Sequence, residues 1–133
     1  MTPNTHLGID QALCGEPVSV TEGLATVRLM TTPRMAADAR GLVHGGFVFG
    51  AADYAAMLAV NDPNVVLGSA DLRFTAPVAV GQEVLCEAEI VETKGRKRVV
   101  EIRCTAGEVT VMSGTLTAFV LEHHVLERAQ PKT

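Results

Sequence analysis

This sequence predicts an α+β fold, with an antiparallel sheet of about six strands curled around one long central helix. Three observations predict it. One apolar stretch, "LVHGGFVFGAADYAAMLAVN" from Leu42 to Asn61, carries apolar residues on almost every side of a helical projection. Two short alternating runs precede it and four follow. Those runs put polar residues on one face and apolar residues on the other, so the sheet has one dry face, and the helix is the element that can cover it.

The elements follow in order. "PVSVTEGLATVRLMTT" alternates on both sides of Glu22-Gly23, the pattern of two strands joined by a tight turn. "RMAADARGL", Arg34 to Leu42, reads as a polar loop. The helical pattern runs from Gly46 to Asn61, with Ala51, Ala52, Ala55, Ala56, Met57, Leu58 and Ala59 as strong helix formers and "NDPN" as the stop. A helix apolar nearly all round is a buried one. The sheet covers only part of it, so the remaining flank is expected to be covered by a second copy of the chain, making a homo-oligomer. "NVVLGSADLRFTAPV" is a long strand with Gly68 as a bulge, ending near Pro77. "GQEVLCEAEIVET" sets Val84, Cys86, Ala88 and Ile90 on one face and Glu87 and Glu89 on the other. "KRVVEIRCTA" turns Val100, Ile102 and Cys104 inward and Glu101 and Arg103 outward, and "EVTVMSGTLTAFVL" closes the sheet.

With 133 residues and no linker or repeat, the chain reads as one domain over 1–133, its core about 17–121 and its termini flexible or peripheral. The net charge of -4 argues against a nucleic-acid partner, whose binding surface would be broadly basic. Cys14, Cys86 and Cys104 are an odd number without metal-ligand spacing, so they are expected as reduced thiols and no metal is expected. The opening "MTPNTHLGID" has neither the basic nor the apolar region of a leader. The one candidate membrane span, Leu42 to Val60, is interrupted by His44, Asp53 and several glycines. A soluble cytoplasmic protein is therefore expected. His6, His123 and His124 lie near the termini and are expected to be solvated.

Candidate chemistry sits on the helix. Gly45 and Gly46 fall where loop becomes helix, a place with unpaired N–H groups and partial positive charge, and glycine lets a ligand oxygen approach them. Asp53 is a carboxylate in an apolar helix, where an unpaired charge costs several kcal/mol. It is either paired, with Arg73 or Arg40, or functional. Gly46 and Asp53 are seven residues apart, on one helix face but separated by roughly 10 Å at 1.5 Å per residue. A reacting carbonyl needs its oxyanion donor and its base each within about 3 Å. Two antiparallel helices across a twofold axis can supply both, so an enzyme built this way has its site at a dimer interface.

At these residues the chain resembles the hotdog-fold acyl-CoA thioesterases, in the branch typified by the phenylacetate-pathway enzyme. The matching motif is "GLVHGGFVFGAADYAAMLAVN", followed by "LRFTAPVAVGQEV" in place of the family's strand, Pro and Gly-acid turn. The likeness spans about residues 17–121. It implies hydrolysis of a coenzyme A thioester by a homodimer or homotetramer, with no cofactor apart from the substrate's own coenzyme A. Asp53 falls on the family's catalytic acid, either nucleophile or general base, and Gly45 on the glycine whose N–H polarises the thioester carbonyl. His44 stands beside it as a positioning group, and a histidine in such a place is more often a capping or hydrogen-bonding group than a general base. Asp38 departs from the pattern, standing where many members carry Asn six residues before the His.

Further substrate contacts are expected from Asp38, from Phe47, Tyr54 and Met57 (with Phe49, residues that could equally be core), and from Gly68, Ser69 and Arg73 on the third strand. The run "KGRKR" gathers four of the eleven basic residues at a turn, and Lys94, Arg96 and Lys97 could meet coenzyme A phosphates or merely be wet. Two rivals share the fold. A hydratase would carry an Asp-x-x-x-x-His pattern that this helix lacks. A non-catalytic acyl-CoA binding module would keep the pocket but not need Asp53.

Overall fold

The computed structural model describes residues 1–128. Six strands, β1 (Glu16–Thr21), β2 (Leu24–Met30), β3 (Val65–Phe74), β4 (Glu83–Lys94), β5 (Lys97–Ala106) and β6 (Val109–Val120), form one sheet in the order β1-β2-β4-β5-β6-β3. Every pairing is antiparallel. The last strand therefore does not close the sheet at an edge: β6 lies inside it, and β3 is the edge. Helix α2 (Gly45–Val60) packs on the inner face, one residue longer at its start than the periodicity indicates. Short helices α1 (Gln11–Cys14) and α3 (Val125–Arg128) flank the sheet in sequence.

The alternation of the strands explains the core. Val84, Cys86, Ala88, Val100, Ile102 and Cys104 are all buried against α2, while Glu87, Glu89, Glu101 and Arg103 point outward. Cys86 and Cys104 face each other across β4 and β5, their sulfurs 2.8 Å apart as free thiols. On the helix, Val48, Ala51, Ala52 and every residue from Tyr54 to Ala59 are buried. Asn61 ends it in the left-handed conformation that Asn tolerates, its N–H donating to the Met57 carbonyl at 2.7 Å.

Two segments read as polar or peripheral contribute to the core. The loop from Arg34 to Leu42 begins in a single 3-10 turn, Pro33–Met35, which inserts Met35 with no exposure at all. The N-terminal segment also reaches α2, through residues 2–6 and α1. The Asn4 N–H donates to the Asn61 side chain at 2.7 Å, and the Asn61 amide donates back to the Thr2 carbonyl at 3.1 Å. Thr5 is buried, and Ile9, Leu13 and Cys14 pack against the core. Part of the flank that a second copy was expected to cover is thus covered by the chain itself.

β3 contains the bulge expected at Gly68, and the bulge changes which side chains face inward. Leu67 is paired with the buried Ala118, but Ser69 is paired with Thr117 and Ala70 with the buried Leu116. The extra residue inverts the alternation. Beyond it Ala70, Leu72 and Phe74 face inward and Asp71 and Arg73 outward, with Thr115 and Ser113 beside them. Opposite Leu72, Gly114 has φ +153°, and a Cβ there would run into the Asp71 carbonyl oxygen.

Candidate functional site

Asp53 is the anomaly of the helix. Its Oδ1 is buried without a hydrogen-bond partner, and none of the ion pairs among the described residues involves it. Neither Arg73 nor Arg40 reaches it. Arg73 faces the opposite side of the sheet, so the paired alternative open at the sequence level is not taken. Burial raises the Asp53 pKa from 3.8 to about 6. Cys14 lies near enough that its thiol, raised first by burial and then by Asp10, is raised further by Asp53.

The start of α2 is left open. His44 is the N-cap residue, yet its side chain makes no capping bond; its N–H donates to the Met35 carbonyl at 2.8 Å, and its carbonyl accepts from Phe47 N–H at 3.1 Å. No carbonyl or side chain among the described residues accepts from the N–H of Gly45 or Gly46, the donors a helix N-terminus always leaves over. Neighbouring rings crowd both positions. A Cβ on Gly45 would sit 3.2 Å from the Phe74 ring, and one on Gly46 would sit 3.0 Å from His44 Nε2. The His44 ring therefore lies over Gly46, edge-on to Phe47 with ring centroids 6.2 Å apart.

Gly45 also borders a cavity of about 420 Å³ lined by Val43, Val48, Phe74, Val78 and Val111 together with the 75–77 loop. No charged side chain borders it. These apolar lining residues were not expected from the sequence, where Val48, Val78 and Val111 look like any core position. The one usable signal is Phe74, a large aromatic residue at the end of an edge strand and 59% exposed.

The expected site residues do not all converge. Gly45, Gly46, His44 and Phe47 share the start of α2, and Asp53 stands two turns on. Tyr54 and Met57 are core residues with almost no exposure. Gly68 is the bulge with the Phe119 ring against it, and Ser69 and Arg73 share the outer face. Asp38 lies in the loop before the helix, where its Oδ1 accepts from the N–H of Arg40 at 2.9 Å and of Leu42 at 3.1 Å. An Asn oxygen could accept the same two bonds, and burial alone accounts for the raised Asp53 pKa, without a contribution from Asp38. The basic turn lies toward the other end of α2: Arg98 and Thr93 border a cleft with Val60 and Asn61, about 24 Å of helix away from Gly45. Arg96 there is paired with Glu122, which leaves Lys94 and Lys97 as cations outside the ion pairs of the described residues. His6 is half-buried rather than solvated, its ring centroid 6.3 Å from that of Tyr54, and burial lowers its pKa. His123 and His124 are exposed.

Among the described residues, no group of three or more His, Cys, Asp or Glu side chains is arranged to hold a metal ion, and no helix is long and apolar enough to cross a membrane.

Residues 40–113, more than half of the chain, match the family model described as the thioesterase superfamily. Over 123 residues the chain is 53% identical to methylthioribose-1-phosphate isomerase of Aquifex aeolicus, covering 92% of this chain and 27% of that protein. It is 31% identical over 84 residues to transcription factor FapR of Bacillus subtilis, covering 62% of this chain and 45% of that protein. The chain thus spans less than half the length of these curated relatives. Among solved structures, an uncharacterized protein from Pyrococcus horikoshii is 48% identical with a TM-score of 0.93, covering 95% of this chain and 97% of that one. A mutant of the phenylacetic acid degradation protein PaaI from Thermus thermophilus is 26% identical with a TM-score of 0.76, covering 84% of this chain and 96% of that one.

Proposed function

The chain belongs to the thioesterase superfamily, and from that premise we propose that it hydrolyses a small or medium acyl-coenzyme A thioester. The supporting observation is the Asp53 carboxyl: largely buried, with no partner on its buried Oδ1, and with its pKa raised to about 6. A carboxylate that gains nothing from its surroundings is a poor structural element and a good base. In the proposed reaction Asp53 takes a proton from water as the oxygen adds to the thioester carbon, or adds to that carbon itself and is released by water afterwards. The carbonyl oxygen becomes an oxyanion held by the N–H of Gly45 or Gly46. The C–S bond then breaks, and coenzyme A leaves as a thiolate that takes up a proton.

The roughly 10 Å between Gly46 and Asp53 is the reason to place the site between two chains. One helix supplies the donors and the partner's helix the acid. The assembly is a homodimer that pairs further into a homotetramer, working in the cytoplasm on a small-molecule substrate without a cofactor. Lys94 and Lys97 meet the coenzyme A phosphates, and His44 positions the carbonyl.

A hybrid experiment tests the shared site. Asp53→Asn subunits and Gly45→Val subunits are each inactive, and a mixed dimer regains one site with both halves intact. Thiol release from acyl-coenzyme A substrates should reappear on mixing. Hybrids confirmed by mass that stay inactive while both parents fold would overturn the mechanism.

The likeness to a transcription factor supports a second reading, a non-catalytic acyl-CoA binding module. That reading predicts tight acyl-coenzyme A binding by the unaltered protein with no thiol release at any pH.

A further inference from the structure

Two nucleophilic side chains lie in the core and take no part in the proposed chemistry. Cys86 on β4 and Cys104 on β5 stand directly opposite each other, in a ladder that runs without a break from Leu85 opposite Thr105 to Ile90 opposite Val100. Both turn inward, and neither has any exposed surface. Their row across the sheet continues to Val27 on β2 and Met112 on β6, both also fully buried. Within that row each thiol is flanked by an apolar side chain and by the other thiol, and the Cys104 thiol donates to the Cys86 sulfur at 2.8 Å. Directly opposite residues of an antiparallel pair have Cα atoms about 4.5–5.5 Å apart, inside the span of roughly 4.4–6.8 Å that a disulfide bridges. Closing the bond brings the sulfurs together by less than about 1 Å and requires no shift of either strand.

We propose that Cys86 and Cys104 form an oxidative modification site, at which a hydroperoxide joins them into a disulfide that staples β4 to β5 beneath α2. One sulfur attacks the hydroperoxide as its thiolate and the O–O bond breaks. A sulfenic acid forms, and the departing oxygen takes up the thiol's proton and leaves as water or an alcohol. The second sulfur then displaces the sulfenic oxygen, which takes the second thiol's proton and leaves as water. The two sulfurs lose two electrons, and the peroxide oxygens gain them. A hydroperoxide suits a site without exposed surface, because a low-molecular-weight disulfide would have to bring a bulkier group against the sulfur. The hydrogen bond with Cys104 and burial raise the Cys86 pKa well above its ordinary value, so the pair ionises reluctantly and persists as thiols where the oxidant is scarce. Cys14, half-buried at the end of α1 and near Asp10 and Asp53, lies outside the pair.

Mass spectrometry reads the bond directly, and the result is independent of the acyl-coenzyme A reading. The full chain and its Cys14→Ser variant are treated with hydrogen peroxide, quenched, denatured and alkylated with N-ethylmaleimide. The Cys14→Ser product should be lighter by two hydrogen atoms and take up no N-ethylmaleimide until dithiothreitol is added. In the unaltered chain, the peptides holding Cys86 and Cys104 should be linked to each other and freed by reduction. The oxidised protein should melt at least ~5 °C above the reduced one, because the cross-link restricts the unfolded chain. Cys86→Ala and Cys104→Ala should each abolish the link and the rise in Tm, and the peptide map of the unaltered chain carries the result if either variant fails to fold. Cys86 and Cys104 still open to alkylation after the peroxide treatment would overturn the proposal. So would their conversion to sulfinic acids, or a link from either of them to Cys14. A Cys86–Cys104 disulfide that lowers Tm would refute the claim that the strands accept the bond without shifting.

Discussion

The two ends of α2 use the same helix for opposite purposes. At the Asn61 end the final N–H is bonded, the cap residue is in the left-handed conformation, and the backbone of Thr2 and Asn4 is tied to its side chain. At the Gly45 end no side chain caps the helix, two glycines hold side-chain bulk away, and a cavity borders the free N–H groups. Stability is concentrated at one end and access at the other. The contrast implies that substitutions at the two ends should separate cleanly, with fold lost at one and turnover at the other.

The largest expected effect lies between them. Asp53→Asn should lower kcat at least ~10²-fold with KM little changed, measured by thiol release. The same change should stabilise the protein in a pH-dependent way. Unfolded, Asp53 ionises near 3.8; folded, near 6. Below the lower value both states hold the proton and burial of the neutral acid is tolerated. As pH rises through about 6 that stability is lost, by about 3 kcal/mol at 1.36 kcal/mol per pH unit. The variant should therefore melt above the wild type at pH 7.5 and alongside it near pH 4. Wild-type turnover should fall as pH drops through about 6, because the acting form is the carboxylate.

Gly45→Val comes next. It drives a side chain toward the Phe74 ring and over the free N–H groups, with an expected loss of ~10²-fold in kcat and a nearly normal melting temperature. A melting temperature that falls with activity would place this glycine with the stabilising end instead. At that end Asn61→Ala should cost about 1 kcal/mol and a few degrees in Tm while leaving kcat unchanged. The smallest effect belongs to Lys94→Ala with Lys97→Ala, a several-fold rise in KM that fades with added salt.

Much of this was legible from side-chain alternation. Strands with one wet face, a helix apolar all round, and one acid within it follow from the spacing of Val84, Cys86, Ala88 and Ile90 and from the isolation of Asp53. Three features escaped for physical reasons. Met35 and the N-terminal residues Ile9 and Leu13 are single apolar side chains in polar segments, without a period to mark them. The face of Arg73 could not be extrapolated along β3, because the Gly68 bulge inverts the alternation partway. The cavity beside Gly45 is made by Val48, Phe74, Val78 and Val111, which are distant in sequence and meet only because β6 lies beside β3.

Gly114 sets a limit on how this sequence can drift. With its φ of +153° and the Asp71 carbonyl where a Cβ would stand, position 114 admits no other residue unless β3 moves away from β6. The backbone of β3 is thereby fixed while its outward side chains stay free to vary. Variation along β3 is then confined to side chains such as Asp71 and Arg73, while position 114 stays glycine.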